Sequence, residues 1–584
     1  MESRSKSKIS VLFLFLIIGF LFFLGAQLYT VVHKRHLPSL FTSENRKAER
    51  GEILSADGFR IATTQQLFKA VVNTRNIDPD KKELFVKLFS IYTGISEKKI
   101  YKRLKQRKGS VVLSYRINPQ DAQYLKTLAY KLRRMKVFVE YTRPNGRTIL
   151  HGLNILPSGE TRIYPYGDLM TPIIGYVHKV EENYYTRVHG VKGVEKSFED
   201  SLTAQQDGKQ FGPRDINSYM ILNKKSYTKP DINGLNIQLT IPLNLQKRVE
   251  QITSKMKKEL KANEIMAVIM ESKTGKIISM ASSNRFVPTN IHKKDYPSLN
   301  AGFIEYSFEP GSVIKPIVFS LLLEHKLVNP YDIVNGHNGK WKMGRKTITD
   351  EHKYAWLSAE NVIVHSSNIG MAQLSQKLPA LEYYQGLVDF GFSQKSGLEL
   401  PYEKQGKIPA INQLKNEIYK ATSSYGYGMD ANVMQLLKAY NAFNNNGRTL
   451  RPYFVEKIID MYGNEEDIRP EGSEQVISAV TAARMKKILI KTVNEGTGVG
   501  TITTGIEVGG KTGTAHIAEH GRYVRKYNTS FFGFANDKKS KYTIGVTVIQ
   551  PRKNHFASLT AVPVYKQIVD LLVEFDYLHP EVVN

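Results

Sequence analysis

A serine and a lysine three residues apart, Ser312 and Lys315, are of the residue types that perform acyl transfer. Lys315 is the only charged residue between Ser312 and Leu323, and a helix that is apolar on all sides is a buried one. Because burial disfavours the charged form of an amine, we expect a lowered pKa for Lys315, which suits a general base. The alternative is a serine N-cap followed by a lysine that extends to solvent.

Two other short motifs carry groups that could serve the same chemistry. Ser366-Ser367-Asn368 offers a hydroxyl for proton relay and an amide that can hold a peptide group, although these residues also suit a helix N-cap. Lys511-Thr512-Gly513-Thr514 lies on a predicted strand after two glycines. Each motif alone is weak, since Ser-x-x-Lys also occurs at Ser96, Ser226 and Ser254.

The region around Lys511 also matches two unrelated patterns. Residues 505–512 satisfy the phosphate-loop pattern, but a phosphate loop follows a buried strand and opens a helix, whereas Gly513 comes next here. Residues 516–520 satisfy His-x-x-Glu-His, a zinc-protease pattern that requires one helical face. Gly513 and Gly521 leave too few residues for that helix, so we predict neither a nucleotide site nor a metal site.

The order of the three motifs is more specific than any one of them. Ser366 follows Ser312 by 54 residues and Lys511 follows Ser366 by 145, and this ordered set resembles the serine acyltransferases of the penicillin-binding protein and β-lactamase superfamily. The N-terminal half is similar to the pedestal of class B penicillin-binding proteins, and it carries Arg50-Gly51-x-Ile53, Asp57-Gly58, Arg162-x-Tyr164-Pro165, Gly175-Tyr176 and Gly193-x-Glu195. The C-terminal half adds Glu309-Pro310-Gly311, Gly426-x-Gly428, Asn446-Gly447 and Gly496-Thr497-Gly498.

The resemblance implies a peptidoglycan D,D-transpeptidase that acts on stem peptides ending in D-Ala-D-Ala, is inhibited covalently by β-lactams and needs no metal or cofactor. Ser312 would be the nucleophile, Lys315 its base and Ser366 the proton relay. The substrate would be bound by Asn368, Lys511, Thr512, Gly513 and Thr514. The backbone N–H groups of Ser312 and Thr514 would form the oxyanion hole.

Within this family the chain looks most like the division-specific septal enzyme. The features are Glu309 before Pro-Gly-Ser, the short stretch between the first two motifs, and the absence of a long insertion after Lys511. Three alternatives remain: an elongation-specific class B enzyme, a membrane-anchored protein that hydrolyses or senses β-lactams, and a non-enzymatic assembly factor. Three positions depart from the family pattern: Ser55-Ala56 replaces the usual Asp-Arg, Pro242 replaces a common Asp, and Tyr427 replaces a common Gln. These departures put pedestal contacts in doubt, but they change no catalytic group.

Composition excludes several other classes of protein. The chain has 584 residues, a formal charge of +28 and no cysteine, so disulfides, zinc ribbons and cysteine nucleophiles are absent. Thirteen basic and two acidic residues lie between Tyr101 and Leu150. No nucleic-acid-binding motif accompanies this charge, so we favour a solvated face near an anionic membrane or wall polymer over a nucleic-acid groove.

One segment is long and apolar enough to span a bilayer. Residues 9–32 carry no charge and would reach about 36 Å as a helix. We predict a cytoplasmic tail at 1–8, a transmembrane helix at 9–33, a pedestal for dimerisation or partners at 34–230, and a transpeptidase domain at 231–584. The protein would be a single-pass inner-membrane protein with an extracytoplasmic, periplasmic catalytic domain. Its expected partners are a polytopic lipid II glycosyltransferase and other division-complex proteins, and no nucleic acid.

The fold class expected from the resemblance is multi-domain α+β. After the transmembrane helix comes an elongated α+β pedestal, and then an antiparallel sheet with helices on both faces. Hydrophobic periodicity predicts a hairpin at 267–281, a helix at 245–260, helices over most of 312–443, strands at 511–517, 530–535 and 542–549, and a helix near 564–574. It also predicts helices with basic faces over 81–147 and a polar linker at 224–234.

Overall fold

The computed structural model describes residues 2–32, 40–142, 148–149, 151–182, 184–215, 220–519 and 521–581. Contacts between backbones divide the chain into two compact units. The first unit comprises residues 1–48 and 206–232, and the second comprises residues 49–205 and 233–584.

The first unit contains the apolar N-terminal helix and a small sheet. The helix spans Glu2–Val32, its side chains from residue 7 to residue 32 are exposed, and within the described residues it is the one helix that could cross a membrane. The chain therefore has one N-terminal apolar helix of the kind that anchors single-pass proteins. The predicted end of this helix at residue 33 lies outside the described residues.

The small sheet corrects one prediction. Strand Phe41–Arg46 pairs with Gly208–Pro213, which pairs with Tyr227–Lys229, all antiparallel. The polar stretch 224–234 therefore contains a strand where we predicted a linker. Its three strand residues are exposed at the edge of the sheet, so no buried apolar face marked them in the sequence.

The second unit begins with a sheet whose strands come from both halves of the chain. In spatial order the strands are Glu465–Asp467, Val455–Ile459, Asn236–Leu239, Ile53–Leu54, Arg60–Asn73, Leu153–Ile163, Tyr185–Gly190 and Val177–Glu182. Strand Asn236–Leu239 runs parallel to Ile53–Leu54 and antiparallel to Val455–Ile459. This sheet contains strands from both sides of residue 230, where we predicted the boundary between two domains. Backbone hydrogen bonds therefore connect the sequence before that boundary with the sequence after it.

Three helices cover one side of this sheet, at Lys82–Thr93, Glu97–Leu104 and Pro119–Arg134. Between the last two lies strand Ser110–Ile117, which pairs with Arg60–Asn73, so the prediction of helices over 81–147 is confirmed for these three segments and wrong for residues 110–117. Val111, Leu113 and Ile117 are buried in the helix-covered core, because β-branched residues with two-residue alternation form a strand that is apolar on one face. Residues 143–147 of that prediction lie outside the described residues.

A buried ion cluster joins three of the sequence motifs. Glu195, on helix Gly193–Ser197, accepts hydrogen bonds from Arg50 at 2.9 Å and from Arg162 at 2.7 Å. All three side chains are at most 1% exposed. Arg50 also reaches Glu199 at 2.8 Å, and Arg162 donates to the Gly51 carbonyl at 2.7 Å. These motif residues therefore hold together segments that are more than 100 residues apart.

The departure at Ser55-Ala56 leaves an ordered turn. The Ser55 hydroxyl donates to Asp57 at 2.5 Å and accepts from the Phe59 N–H at 3.0 Å. Asp57 in turn accepts from the Leu243 N–H at 3.2 Å, at the start of helix Leu243–Leu260, whose N-cap is Pro242. A serine in this position therefore still connects the turn to that helix.

The remainder of the second unit is built on a five-stranded antiparallel sheet. Its spatial order is Ile277–Ser282, Glu264–Glu271, Lys541–Ile549, Arg522–Asn536 and Glu507–Glu519. Met266, Val268 and Met270 face one core, whereas Ile265, Ala267 and Ile269 face another, because side chains alternate along a strand. The predicted hairpin and the three predicted C-terminal strands are confirmed.

Helices cover both faces of this sheet, as expected for an α+β fold. Leu243–Leu260 and Ala561–Glu574 pack on one face. The other face is covered by a larger group of helices, at Gly302–Glu305, Lys315–Glu324, Ala359–Val364, Asn368–Ser375, Ala380–Asp389, Ile411–Leu414, Glu417–Ser424, Val433–Asn444 and Ala479–Glu495. Three short hairpins or strand pairs lie among them, at 333–335 with 356–358, 340–343 with 346–349, and 448–450 with 473–475.

Candidate active site

Ser312 and Lys315 lie where a tight turn becomes a helix. Gly311–Ile314 forms one 3₁₀ turn and the α-helix runs from Lys315 to Glu324, so the α-helix begins three residues later than the sequence predicted. Pro316 occupies the first turn of this helix, where a missing N–H is tolerated. Every residue from Lys315 to Leu323 is buried, which confirms the prediction of a buried helix. Ser312 itself is half-buried.

The Lys315 ammonium is completely buried and faces Ser366. Its Nζ donates to the Ser366 carbonyl at 2.5 Å and lies 3.3 Å from the Ser366 hydroxyl. Burial lowers the pKa of Lys315 to about 7, and the nearby charges of Asp350 and Glu351 offset only part of that effect. Close to neutral pH, a large fraction of this amine is therefore unprotonated and able to accept a proton. The solvent-exposed alternative for Lys315 does not apply.

Ser366 has a backbone conformation that a serine rarely adopts. It lies between helices Ala359–Val364 and Asn368–Ser375 with a φ of 60°, in the left-handed region. The N-cap alternative applies to its neighbour: Ser367 caps the second helix by accepting from the Gly370 N–H at 2.9 Å. The cap therefore leaves the carbonyl and hydroxyl of Ser366 available to Lys315.

Asp350 fixes this turn and was missed by the sequence analysis. It accepts from the Ser367 hydroxyl and from the Asn368 N–H, both at 2.5 Å. The Asn368 side chain donates to the Thr349 carbonyl at 3.0 Å. An isolated aspartate after a short strand carries no motif, so only the fold could reveal its role as the anchor of the second motif.

Lys511 and Thr512 lie on the edge strand Glu507–Glu519, as predicted. The Lys511 side chain is buried, and its Nζ lies 3.2 Å from both the carbonyl and the hydroxyl of Thr512. Thr497, which belongs to Gly496-Thr497-Gly498, exchanges a hydrogen bond with the Thr512 hydroxyl at 2.7 Å. The flanking glycines were the signal that could have added Thr497 to the candidate residues.

Burial lowers the pKa of Lys511 well below its usual value, and the charge of Lys315 lowers it further. The two amines therefore oppose each other's protonation. An anion bound beside Lys511 would favour the positively charged form of Lys511.

Two glycines bring the Ser312 turn against the edge strand. A Cβ at Gly513 would lie 2.8 Å from the Val313 side chain, and a Cβ at Gly311 would lie 2.9 Å from the Thr514 carbonyl. Gly311 also has a φ of 59°, which favours glycine. The turn and the strand therefore approach more closely than larger residues would allow. Among the described residues, the Ser312 hydroxyl forms no hydrogen bond, and the Lys315 amine donates to Ser366.

Two cavities are each lined by residues of the second or third motif. The first has a volume of about 560 Å³ and is bordered by Thr512 and Thr514. The second has a volume of about 350 Å³ and is bordered by Asn368. The Ser312 turn, the buried Lys315 amine and the Lys511 strand are thus accompanied by two spaces that could receive a substrate, an arrangement that can transfer an acyl group through a serine ester.

The rival patterns around Lys511 do not have the structural context they require. Residues 507–519 form a continuous strand, so no helix follows the phosphate-loop pattern, and His516 lies on a strand instead of a helix. In the part of the chain that the structure describes, no group of three potential metal-ligating side chains comes together. The edge strand is therefore better suited to pair with an extended substrate.

Comparisons with known proteins agree with this geometry. Residues 265–570, more than half of the chain, match the family model for the penicillin-binding protein transpeptidase domain. Residues 45–239 match the model for the penicillin-binding protein dimerisation domain.

Individual relatives are distant but cover most of the chain. Penicillin-binding protein PbpB of Mycobacterium tuberculosis is 28% identical over 71% of this chain and 62% of its own length. Peptidoglycan D,D-transpeptidase FtsI of Buchnera aphidicola is 25% identical over 94% of this chain and 91% of its own. Stage V sporulation protein D of Bacillus subtilis is 26% identical over 89% of this chain and 77% of its own length.

Solved structures share the fold at lower identity. Penicillin-binding protein 3 of Mycobacterium tuberculosis, complexed with aztreonam, superposes with a TM-score of 0.66 at 22% identity, over 92% of this chain and 98% of that one. Penicillin-binding protein 2X of Streptococcus thermophilus superposes with a TM-score of 0.74 at 21% identity, over 92% of this chain and 81% of that one.

Proposed function

This chain belongs to the class B penicillin-binding proteins and carries their transpeptidase domain, and we propose that it is a peptidoglycan D,D-transpeptidase that cross-links stem peptides through an ester on Ser312. The observation that carries this proposal is the buried Lys315 amine, which has a pKa of about 7 and lies one helical turn along the chain from Ser312. Among the described residues, no other group forms a hydrogen bond with the Ser312 hydroxyl. A neutral amine in this position can remove the serine proton at physiological pH.

The proposed reaction begins with the D-Ala-D-Ala end of a stem peptide. Lys315 takes the proton of Ser312, whose oxygen attacks the penultimate carbonyl, and Ser366 passes the proton to the leaving D-alanine. The backbone N–H groups of Ser312 and Thr514 form the oxyanion hole, where one donor is typically worth about 3–4 kcal/mol.

Substrate binding involves the second and third motifs. Asn368 holds the acyl peptide, and Lys511, Thr512 and Thr514 bind the terminal carboxylate, with Gly513 keeping the strand close to the nucleophile. The lowered pKa of Lys511 in the absence of an anion supports this role, because a bound carboxylate would reverse it. β-Lactams, which also carry a carboxylate beside a reactive carbonyl, would acylate the same serine.

The cellular role that we propose is septal wall synthesis. It is supported by Glu309 before Pro310-Gly311 and by the absence of an insertion after Lys511, since one strand ends at Glu519 and the next begins at Arg522. The apolar helix anchors the chain in the inner membrane with residues 1–8 in the cytoplasm and the catalytic domain in the periplasm. The pedestal, assigned to residues 34–230, and the span would bind a lipid II glycosyltransferase and other division proteins, with the transpeptidase domain at 231–584.

We expect the acyl-enzyme formed with a labelled penicillin to persist for many minutes. Within the part of the chain that the structure describes, we identify no dedicated base for a deacylating water in the proposed site, whereas a β-lactamase must have one. The measurement is loss of label from the full-length protein in detergent after excess unlabelled penicillin is added. Turnover within seconds would favour the β-lactam-hydrolysing alternative, and a failure to label at all would favour the non-enzymatic assembly factor.

The septal role predicts the location of the protein in growing cells. A fluorescent fusion that replaces the native copy is expected to concentrate at midcell during constriction. A fusion dispersed along the lateral wall throughout growth would instead support the elongation-specific alternative. A fusion with Ser312→Ala serves as a control that separates localisation from activity.

A further inference from the structure

We propose that one face of the small sheet in the first unit docks on the surface of the membrane that the apolar helix spans, with exposed aromatic side chains at the lipid interface and lysines on anionic phospholipid headgroups. This inference rests on the proposed membrane anchoring of the chain. It extends that proposal from the helix to the sheet whose first strand comes next in the described chain.

Strand pairing places three aromatic side chains on one face of this sheet. Phe211 lies directly opposite Ser43 on one neighbouring strand and directly opposite Tyr227 on the other. Because side chains alternate between the two faces of a strand, Phe41 shares the face of Ser43. The rings of Phe41 and Phe211 are stacked with their centroids 5.3 Å apart. Aromatic side chains from all three strands therefore share this face, which we call the aromatic face.

Further apolar side chains surround the aromatic end of the sheet. The Arg214 N–H donates to the Leu40 carbonyl at 2.9 Å. The Ile221 N–H donates at 2.7 Å to the carbonyl of Pro213, the residue that pairs with Phe41. The large apolar side chains at this end of the sheet are 39–73% exposed: Leu40, Phe41, Phe211, Ile221, Leu222 and Tyr227. Exposed apolar side chains concentrated in this way mark an interaction surface.

Two lysines lie on the aromatic face beyond the rings. Lys209 and Lys229 are directly opposite each other, and both are exposed. Like charges in this position repel each other. Neither lysine forms an ion pair among the described residues, and the three strands place no acidic residue on this face. An anionic surface would relieve the repulsion between the two lysines.

The position of the sheet along the chain favours lipid as the occupant. The apolar helix ends at Val32 and the first strand begins at Phe41. Nine residues span at most about 32 Å, so the aromatic end of the sheet lies within that distance of the helix end. The apolar segment of 26 residues exceeds the roughly 20 needed to cross the hydrocarbon core, so we place the helix end at the bilayer interface.

The order of the side chains along the sheet matches the layers of a bilayer surface. Aromatic side chains are enriched where the lipid chains meet the headgroups. Lys209 and Lys229 are each two residues along their strands from an aromatic residue, a distance of about 7 Å that reaches into the headgroup layer. Rings at the end nearer the span and cations beyond them therefore fit an anionic lipid surface better than an apolar groove of a protein.

The absence of cysteine from the chain allows a single probe to be placed on either face of the sheet. Ser43→Cys puts a fluorophore on the aromatic face, and Thr228→Cys puts one on the opposite face. Each full-length variant is reconstituted as a single copy in nanodiscs of phosphatidylglycerol and phosphatidylcholine that contain a lipid-attached quencher. Leu16→Cys, in the apolar helix, reports insertion of the span.

We expect the probe at Ser43→Cys to be quenched about fivefold more strongly than the probe at Thr228→Cys, because only the first faces the lipid interface. Adding Phe211→Ser and Tyr227→Ser should lower the ratio of docked to undocked sheet about tenfold, since less apolar surface is buried on docking. The matched control is Tyr462→Ser, which removes an exposed tyrosine of the second unit and should leave the ratio unchanged.

The lysines are tested in the same nanodiscs. Lys209→Gln together with Lys229→Gln should lower the docked ratio about tenfold in phosphatidylglycerol and leave it unchanged in pure phosphatidylcholine. An unchanged ratio in both lipids would reject anionic headgroups as the ligand of the lysines.

Equal quenching at Ser43→Cys and Thr228→Cys would overturn the proposal and leave the aromatic face to a protein partner. If the probe at Leu16→Cys were not quenched either, the membrane anchor would be rejected, and the proposal with it. Labelling of each variant by penicillin in the nanodiscs reports on the proposed transpeptidase separately. Changes to the aromatic face should not alter that labelling.

Discussion

Replacing Lys315 with alanine is expected to slow acylation of Ser312 by a labelled penicillin by on the order of 10³-fold. The buried amine, with its pKa of about 7, is the group one helical turn from Ser312 that can take the serine proton. Without it the hydroxyl must attack while still protonated. The measurement is the second-order labelling rate of the full-length protein in detergent.

A second variant separates lost chemistry from lost packing. Lys315→Met refills the buried space with an unbranched side chain that has no basic group, so it should be as slow as Lys315→Ala while its thermal unfolding stays closer to that of the wild type. Acylation near the wild-type rate in both variants would reject Lys315 as the base. Slow acylation in the alanine variant alone would indicate a packing role.

The pH dependence of the wild-type enzyme provides an independent readout of the same group. Lys315 is protonated and inactive below about pH 7 and neutral above it, so the labelling rate should rise as the pH increases through 7. The pKa of Lys511 is also lowered, so carboxylate binding should weaken at higher pH, where Lys511 loses its charge. In Lys315→Met the rise through pH 7 should be absent.

Replacing Glu195 with alanine is expected to destabilise the part of the second unit that contains Arg50 and Arg162 by about 3–5 kcal/mol. Both guanidinium groups are buried and bind this one carboxylate, so its removal leaves two buried charges without their shared partner. Amide exchange in strand Leu153–Ile163, which carries Arg162, should accelerate by on the order of 10²–10³-fold.

The matched control is an exposed ion pair of similar length. Glu83 and Lys87 are 2.6 Å apart on helix Lys82–Thr93 with both side chains more than half exposed. Glu83→Ala should change stability by less than about 0.5 kcal/mol. If Glu195→Ala were no less stable than Glu83→Ala, the buried cluster would not be what holds these segments together.

Local sequence patterns were sufficient where one element determines the environment of a residue. The burial of Lys315 could be predicted because no other charged residue lies between Ser312 and Leu323. The Lys511 strand could be predicted because glycines and β-branched residues surround it. The family resemblance supplied the roles of Ser366 and Asn368, which local periodicity could not distinguish from an N-cap.

The sequence was insufficient where long-range pairing determines structure. Strand Ser110–Ile117 lies between helices and forms because Arg60–Asn73 provides a partner, and Tyr227–Lys229 forms because Gly208–Pro213 does. Asp350 likewise acquires its role only when the fold places it at the Ser367 cap. Such partners are distant along the chain, so no window of local sequence contains them.

The most direct test of the account is to locate the covalent adduct. The full-length protein is treated with a penicillin, digested and analysed by mass spectrometry, beside a Ser312→Ala variant. We predict one stoichiometric adduct on the peptide that contains Ser312 and none in the variant. An adduct at another serine, or full labelling of Ser312→Ala, would contradict the assignment of Ser312 as the nucleophile.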